Sequence, residues 1–235
     1  MKELSEYQRK VLELLHSTDK PFIIGADEVG LGACAGPLVV VATMFSSKMN
    51  WEQLFHGPVR DSKQLSHGRR LQLIGPICDH VTSLYKVSVP SEDIDTVGIK
   101  TALLTATEQA VQRCREGFDP QDCLLVLDGN PPKDIVRSVT LREGIFLPKA
   151  DALVGAVAAA SIFAKEFRDH WMKNVAHRTY PGYCFEEHVG YGTVSHMKAL
   201  RHLGVCPLHR RSYLPIREII HGNKERSPSR AAKGS

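Results

Sequence analysis

The stretch PFIIGADEVGLGACAGPLVVVATMF (residues 21–45) contains two apolar runs separated by glycines. The first run, FIIGAD, is typical of a β-strand. The second, PLVVVATMF (37–45), is apolar throughout, as in a strand that is buried on both faces. Three glycines between the runs predict a loop with unusual backbone angles or a close approach to a ligand: Gly30, Gly32 and Gly36. The stretch therefore predicts two strands on either side of a glycine-rich loop.

The rest of the chain alternates between helical and strand-like patterns. Residues 4–16 and Ile99–Arg115 have the apolar spacing of helices, and residues 81–89 alternate like a half-buried strand. CLLVLDGN (123–130) is an apolar strand that ends in a turn. Further helices are predicted over 66–78, 152–172 and 193–203. This order indicates an α/β fold with a mixed β-sheet flanked by helices, and ligands of such sheets often bind at strand ends.

The composition is that of an ordinary globular protein. The chain has 235 residues, of which 43% are hydrophobic and 24% are charged, so it can bury a core without disulfides. Its cysteines form no C-x-x-C pair, its N-terminus is polar rather than a secretory signal, and it lacks a long apolar run. These features predict a cytoplasmic protein with free thiols and no membrane partner. We also expect a monomer, because no apolar helix face is left unexplained.

The charge is distributed unevenly along the chain. The net charge is +4, with a basic surplus after Lys165 and a slight acidic surplus over residues 1–164. A basic part beside an acidic part suits a polyanion that approaches carboxylate-bound cations. A solvated helical face produces the same pattern, so charge alone leaves both interpretations open.

Four acids stand out by their position in the sequence. Asp27 and Glu28 end an apolar strand, Asp128 ends another, and Asp151 precedes the Ala-rich helix. Buried acids repel one another unless cations neutralise them, and Mg²⁺ prefers oxygen ligands. Adjacent strand residues point to opposite faces, so Asp27 and Glu28 share a site only if the strand ends or distorts there.

Each acid also has a simpler interpretation. Asp151 fits the N-cap or the first turn of a helix, where carboxylates are common. Asp128 precedes Gly129, a pairing that is typical of turns. The pair Asp27 and Glu28 is harder to explain in this way, because charged acids are rare inside apolar runs.

Five segments, in this order, resemble the motifs of the ribonuclease HII family. They are IIGADEVGLGACAGPLVVVA (23–42), DSKQLS (61–66), LDGN (127–130), PKADALVGAVAAASIFAKEFRD (148–169) and YPGYCFEEHVGYGTVSHMKALRHLGVCPLHRRSY (180–213). The resemblance implies a ribonuclease H-like fold with a helical C-terminal extension. It also implies an endonuclease that cuts the RNA strand of RNA–DNA hybrids and cuts 5′ of ribonucleotides embedded in duplex DNA.

The same resemblance implies roles for individual residues. Asp27, Glu28, Asp128 and Asp151 match the metal-binding quartet, with Mg²⁺ or Mn²⁺ as the cofactor. Gly30, Leu31 and Gly32 match a loop whose backbone recognises the 2′-hydroxyl, and Tyr191 matches a tyrosine that stacks on a sugar at the RNA–DNA junction. Three further residues match phosphate contacts: Lys63, Ser161 and Lys165. Without the motifs, Tyr191 reads as a core tyrosine and the lysines as surface charges.

Two residues depart from the family pattern. Leu31 stands where the family usually has arginine, and Val189 stands where it usually has lysine. Both changes remove a positive charge near the expected path of the substrate. We therefore expect an active enzyme that binds hybrids more weakly, or cuts single ribonucleotides less selectively, than typical relatives.

The resemblance also suggests how the chain is divided. We expect an N-terminal helix (1–20), a catalytic domain (21–175), a helical extension of that domain (176–220) and a disordered basic tail (221–235). Two alternatives remain. One is another nuclease on the same fold, such as a ribonuclease HIII or a junction resolvase. The other is a nucleic-acid-binding module without catalysis, holding zinc through a loosely zinc-like set: Cys184, His188, Cys206 and His209.

Overall fold

A five-stranded mixed sheet lies at the centre of the computed structural model, which describes residues 4–57, 65–132 and 135–225. Its strands are β1 (Phe22–Val29), β2 (Leu38–Ser46), β3 (Ser83–Val89), β4 (Cys123–Asp128) and β5 (Ile145–Leu147). They lie in the order β3-β2-β1-β4-β5. The pairs β1–β2 and β2–β3 are antiparallel, whereas β1–β4 and β4–β5 are parallel. The predicted mixed sheet is confirmed.

Helices cover both faces of this sheet. They are α1 (Glu6–Ser17), α2 (Trp51–Phe55), α3 (His67–His80), α4 (Ser91–Val97), α5 (Ile99–Cys114), α6 (Gly155–Trp171), α7 (His177–Thr179), α8 (Phe185–His188), α9 (Val194–Leu203) and α10 (Leu214–Glu225). Five long helices lie where the sequence predicts them, namely α1, α3, α5, α6 and α9, whereas α10 was not among the predicted helices. The short elements α2, α4 and β5 were not predicted, because three to seven residues carry too little periodicity.

The two central strands alternate their side chains between two separate cores. Ile23 and Val41 pack with α6 on one face, whereas Ile24 and Val40 pack with α5 on the other. All of β2 except its last residue is buried. The continuous apolar run over 37–45 is therefore a strand covered on both faces, as predicted.

The Ala-rich helix α6 lies unusually close to β1. A Cβ added at Gly25 would lie 2.3 Å from the backbone nitrogen of Val157, so only glycine fits there. The hydroxyl of Thr43 donates a hydrogen bond of 2.8 Å to the carbonyl of Ala156. This close packing fixes α6, and the polar residues on it, relative to the ends of β1 and β4.

Helix α1 lies against the strand at the edge of the sheet. A capping box at Ser5 and Gln8 begins the helix. The Tyr7 hydroxyl donates to the carbonyl of Phe146, and the Gln8 side chain donates to that of Pro148. The N-terminal helix therefore holds the segment that leads from β5 to Asp151.

The C-terminal helices enclose a third core, in which Phe185, Leu200 and Ile216 are buried. Helix α10 continues to Glu225, five residues into the range predicted to be a tail. Residues 226–235 lie outside the described part of the chain. In the parts that the structure describes, we find no helix with the length and apolar character needed to cross a membrane.

Candidate active site

Asp27 and Asp128 lie side by side at one edge of the sheet. In the parallel pair of β1 and β4, Ala26 is the partner of Leu127, and each aspartate is the next residue of its strand. Asp27 is 5% exposed, and Asp128 is half-buried. Two acids a hundred residues apart in sequence are thus brought together, as predicted from their positions at strand ends.

Glu28 joins them although β1 does not end there. The strand continues to Val29, which pairs with Val39 of β2, so the expectation that the strand ends at the acidic pair is wrong. The two carboxyl groups are nevertheless close enough for the charge of Glu28 to raise the pKa of Asp27. Asp27, Glu28 and Asp128 line one cavity of about 640 Å³ beneath α5.

The Asp27 carboxyl is the most perturbed group of this cluster. Burial raises its pKa well above the usual range, and the charges of Glu28 and Asp128 raise it further, against a hydrogen bond from Ser161. One carboxylate oxygen, Oδ1, accepts from the backbone N–H of Glu28 at 2.8 Å. The other, Oδ2, is buried without a hydrogen-bond partner among the described residues. A buried acid oxygen with no donor, beside two further acids, fits a divalent cation.

Asp151 approaches the same edge through a backbone contact. It lies in a 3₁₀ turn (Ala150–Ala152) and is 4% exposed. The N–H of Ala150 donates a hydrogen bond of 2.7 Å to Asp128 Oδ1. The N-cap of α6 is Val154, and the first turn of α6 contains no acid, so Asp151 is neither the N-cap nor a first-turn acid of that helix; it is a first-turn acid of the 3₁₀ turn before it.

The four acids do not form a finished metal cluster. Among the described residues, no group of three or more His, Cys, Asp or Glu side chains is already arranged to hold an ion. The donor set of Asp27, Glu28, Asp128 and Asp151 nevertheless has the oxygen chemistry that Mg²⁺ and Mn²⁺ require.

The glycine-rich loop between β1 and β2 (residues 30–37), here called the glycine loop, turns back beside these acids. Two buried arginines hold it. Gly30 has φ +88°, and a Cβ there would lie 2.3 Å from Nε of Arg168. Arg168 donates to the carbonyls of Pro37 and Ala35. Arg210 donates to those of Gly36 and Leu31. The loop carbonyls therefore point inward to guanidinium groups.

Neither arginine was identified from the sequence. Both are fully buried, and neither forms an ion pair with a carboxylate within the described ranges. Burial lowers the pKa of Arg168 to about 10. A guanidinium can satisfy several carbonyls at once because it offers five N–H donors. The available signal in the sequence for Arg168 was a charged residue in a helix whose other buried residues are mostly apolar.

Tyr191 lies in a turn that packs on the glycine loop. Its ring faces the Arg168 guanidinium at 5.4 Å, and Arg168 also donates to the carbonyl of Val189. The carbonyl of Gly190 accepts from the N–H groups of Cys34 and Ala35. The two segments predicted to recognise the substrate, residues 30–32 and Tyr191, are thus parts of one connected unit.

The predicted phosphate contacts have different surroundings. Ser161 is buried next to Asp27 and lowers the pKa of that carboxyl through a hydrogen bond. Lys165, four residues later, pairs with Asp169 at 2.9 Å. Leu31 is 40% exposed at the tip of the loop. A Cβ at Gly32 would meet no atom within 4 Å, and Lys63 lies outside the described residues.

The zinc interpretation is wrong for the region that the structure describes. Nε2 of His188 contacts the carbonyl of Tyr183, and its Nδ1 accepts from the N–H of Gly190. Both ring nitrogens of His209 are also engaged in hydrogen bonds. These two rings therefore have no lone pair left for a metal.

Comparison with known proteins identifies the family. Residues 24–215 match the family model described as Ribonuclease HII. A ribonuclease HII of Limosilactobacillus fermentum is 37% identical over 200 residues, covering 85% of this chain and 72% of that protein. The crystal structure of ribonuclease H2 from Pyrococcus horikoshii OT3 superposes with a TM-score of 0.70 at 25% identity, covering 87% and 99% of the two chains.

A further solved structure has the same fold. It is Bst-RNase HIII in complex with Mn²⁺, with a TM-score of 0.67 at 18% identity over 96% of this chain and 77% of the other. The HIII alternative is no better supported than HII. With a family model over most of the chain and a curated relative above one third identity, the chain belongs to the ribonuclease HII family and is an endonuclease of the ribonuclease H type.

Proposed function

We propose that this protein cuts the RNA strand of RNA–DNA hybrids, and cuts 5′ of single ribonucleotides in duplex DNA, with Mg²⁺ or Mn²⁺ held by Asp27, Glu28, Asp128 and Asp151. The observation that carries the proposal is the buried Oδ2 of Asp27, which lacks a donor among the described residues and has Glu28 and Asp128 beside it. A cation is the partner that this oxygen lacks.

Each acid has a role in the proposed site. Asp27 and Asp128, on adjacent strands, bind the ions, and Glu28 and Asp151 complete the ligand set. Divalent ions in such a site activate water and stabilise the departing 3′ oxygen. The N–H of Ala150 orients the Asp128 carboxylate, and the Ser161 hydroxyl orients that of Asp27.

Recognition of RNA is assigned to the unit held by Arg168. The backbone of Gly30, Leu31 and Gly32 reads the 2′-hydroxyl, and the ring of Tyr191 packs on the neighbouring sugar. Lys165, Ser161 and Lys63 contact phosphates, and Lys165 does so by exchanging its bond to Asp169 for the substrate.

The cellular setting follows the same proposal. All six cysteines are free, and four of them are buried, which suits a reducing compartment such as the cytoplasm. We propose that the enzyme acts there as a monomer, and sedimentation of the purified protein measures this directly.

The test compares three duplexes: one with a single embedded ribonucleotide, one RNA–DNA hybrid and one plain DNA. Each is incubated with Mg²⁺, with Mn²⁺ and with a chelator. We expect metal-dependent cutting of the first two only, with 3′-hydroxyl and 5′-phosphate ends. Cutting of the hybrid without cutting of the single-ribonucleotide duplex would indicate an HIII-like specificity, and cutting of plain DNA would reject the proposal.

Asp128→Asn tests the metal site separately from the fold. Asparagine keeps an oxygen that accepts from the N–H of Ala150 and removes only the charge. We expect turnover to fall by about a hundredfold or more. Mn²⁺ should raise the melting temperature of the wild type but not of the variant. Asp79→Asn, at an exposed position of α3, is the control, and near-normal turnover in Asp128→Asn would remove Asp128 from the mechanism.

A further inference from the structure

Three histidine rings are buried together behind Tyr191, away from the carboxylates. His188, His196 and His209 are 6%, 0% and 1% exposed. The rings of His188 and His196 stack with centroids 4.3 Å apart at 14°, and those of His196 and His209 lie 5.3 Å apart. Phe185 packs on all three. Such a cluster of polar rings in a core requires a partner for each nitrogen.

The partners define which nitrogen carries each proton. Nδ1 of His209 lies 2.9 Å from the backbone nitrogen of Cys206 and 3.3 Å from the carbonyl oxygen of the same residue. The N–H of Cys206 points at this nitrogen at the shorter distance, so Nδ1 accepts with a lone pair and Nε2 carries the proton. That Nε2 lies 3.1 Å from Nε2 of His196, which must accept. Nδ1 of His196 therefore carries a proton, and it donates to the carbonyl of Tyr191 at 2.9 Å.

His188 binds the other side of the same turn. Its Nδ1 accepts from the N–H of Gly190 at 3.2 Å, and its Nε2 donates to the carbonyl of Tyr183 at 2.8 Å. Burial lowers the pKa of all three rings, to about 4 for His196 and His209. The rings are thus neutral near pH 7, as this chain of hydrogen bonds requires.

The turn that these rings hold is one that the chain would not adopt readily. Val189 has φ +44° and Gly190 has φ +85°, so a β-branched residue sits in the left-handed region, which is costly. External contacts must maintain that conformation. Arg168 donates to the carbonyl of Val189, His196 donates to that of Tyr191, and the N–H of Gly190 donates to Nδ1 of His188.

We propose that His196, supported by His209 and by the stacked ring of His188, is a positioning residue that sets the backbone of Tyr191 and thereby the preference for the RNA–DNA junction. This rests on the proposed function, in which the Tyr191 ring contacts the substrate sugar. His196 acts only through Tyr191 and does not touch the nucleic acid. In the series of hydrogen bonds that starts at His209, the last one joins Nδ1 of His196 to the carbonyl of Tyr191, the residue proposed to contact the substrate.

Two substitutions at one position separate this role from packing. The amide nitrogen of asparagine falls near Nδ1 of histidine, whereas that of glutamine falls near Nε2. His196→Asn therefore keeps the donor to the Tyr191 carbonyl and loses contact with His209. His196→Gln keeps a polar group facing His209 and loses the bond to Tyr191.

The readout is a ratio: kcat/KM for the single-ribonucleotide duplex divided by kcat/KM for the RNA–DNA hybrid. We expect His196→Gln to lower this ratio about tenfold, the factor that corresponds to one lost hydrogen bond. His196→Asn should keep it near the wild-type value. In a background of Tyr191→Ala, which lowers the ratio by itself, His196→Gln should lower it no further.

A purely structural role would give a different result. Both variants would then lose activity on both substrates in proportion to the fraction unfolded, and the ratio would not change. Equal ratios in the two variants, with the wild-type preference intact, would overturn the inference alone. If the wild type shows no cutting at the single ribonucleotide, it is the proposed function that fails.

A second measurement needs no substitution. ¹⁵N NMR of the imidazole rings in the full-length protein reports the tautomer of each histidine. We expect protons on Nδ1 of His196 and on Nε2 of His209 and His188. A proton on Nε2 of His196 would mean that no hydrogen bond reaches the Tyr191 carbonyl, and the proposal would fail even if both variants were too unstable to assay.

Discussion

The two halves of the site satisfy their polar groups in opposite ways. At the acidic end of β1 and β4, burial and like charges raise the pKa of Asp27, and one of its oxygens has no donor within the described residues. Behind the glycine loop and Tyr191, buried side chains instead donate hydrogen bonds to backbone carbonyls. These side chains are Arg168, Arg210 and His196. The acidic half therefore has one oxygen of Asp27 that lacks a hydrogen-bond donor among the described residues, whereas side chains on several elements hold the backbone around Tyr191.

This difference suits the two tasks of the proposed function, which are metal binding and substrate recognition. A cluster of acids binds cations because the cation reduces the repulsion between the like charges. A preorganised recognition surface discriminates between substrates because it loses little conformational freedom when it binds. Substitutions should therefore affect stability with opposite sign in the two halves.

The largest effect on turnover is expected for Asp27→Asn. The amide can donate to the carboxylates of Glu28 or Asp128, so the repulsion is replaced by a hydrogen bond. In chelator, the free energy of unfolding should rise by roughly 1–3 kcal/mol, while turnover falls by about 10²–10³-fold. Denaturant unfolding and a hybrid-cleavage assay measure the two quantities. A loss of both stability and activity would contradict the view that repulsion around Asp27 destabilises the fold.

Arg168→Met should have the opposite effect on stability. Methionine fills part of the same volume but leaves the carbonyls of Pro37, Ala35 and Val189 without their charged donor. We expect a loss of roughly 3–5 kcal/mol in the free energy of unfolding. Arg217→Met, at an exposed position of α10, is the control. A change within the error of that control would show that Arg168 does not hold the loop.

The buried histidines predict how stability depends on pH. His196 and His209 take up protons at about pH 6.5 in the unfolded chain and only at about pH 4 in the folded protein. Between these values the unfolded state binds more protons, so stability is complete above pH 6.5 and decreases as the pH falls toward 4. The loss should be on the order of 3 kcal/mol for each ring by pH 4, and so about 6 kcal/mol for the two together.

Urea unfolding at several pH values measures this loss, with His196→Asn as the comparison. Removing one titrating ring should flatten the pH dependence between pH 4 and 6.5. An unchanged slope in the variant would mean that other groups cause the acid sensitivity.

The two halves also differ in how well the sequence predicted them. Asp27, Glu28 and Asp128 were identifiable because an acid at the end of an apolar run is unusual, and the order of strands brings such ends together. Arg168, Arg210 and His196 were not identified. Their partners are backbone carbonyls from distant segments, and every residue type has a carbonyl, so no pattern in the sequence marks the contact.

The fold likewise divides into features that the sequence predicted and features that it did not. The continuous apolar run of β2 and the spacing of α5 and α6 predicted the layers correctly, because burial repeats over many residues. The left-handed conformations of Lys149, Cys184 and Val189 had no such signal, since these residues rarely adopt them. At Val189, the hydrogen bond from Arg168 to the carbonyl helps to hold this conformation. Lys149 and Val189 each lie two residues before a predicted site residue.

The smallest effect, a change in hybrid affinity, is expected at the exposed part of the glycine loop. Leu31 is 40% exposed, and its carbonyl is held by Arg210 and by the Tyr213 hydroxyl. Because the backbone is fixed from inside, Leu31→Arg should restore a positive charge at the loop tip without moving the loop. We expect hybrid affinity to rise about threefold to tenfold, with a salt dependence steeper by about one phosphate contact.

Leu14→Arg, on the exposed side of α1, adds the same charge away from the loop and should change affinity much less. If Leu31→Arg raises affinity equally for hybrid, junction duplex and plain DNA, the added charge acts on the backbone phosphates alone and the rigid loop sets selectivity. If it also changes the junction preference, the side chain at position 31 takes part in reading the ribonucleotide. Unchanged affinity and unchanged preference would show that the missing arginine does not weaken this enzyme.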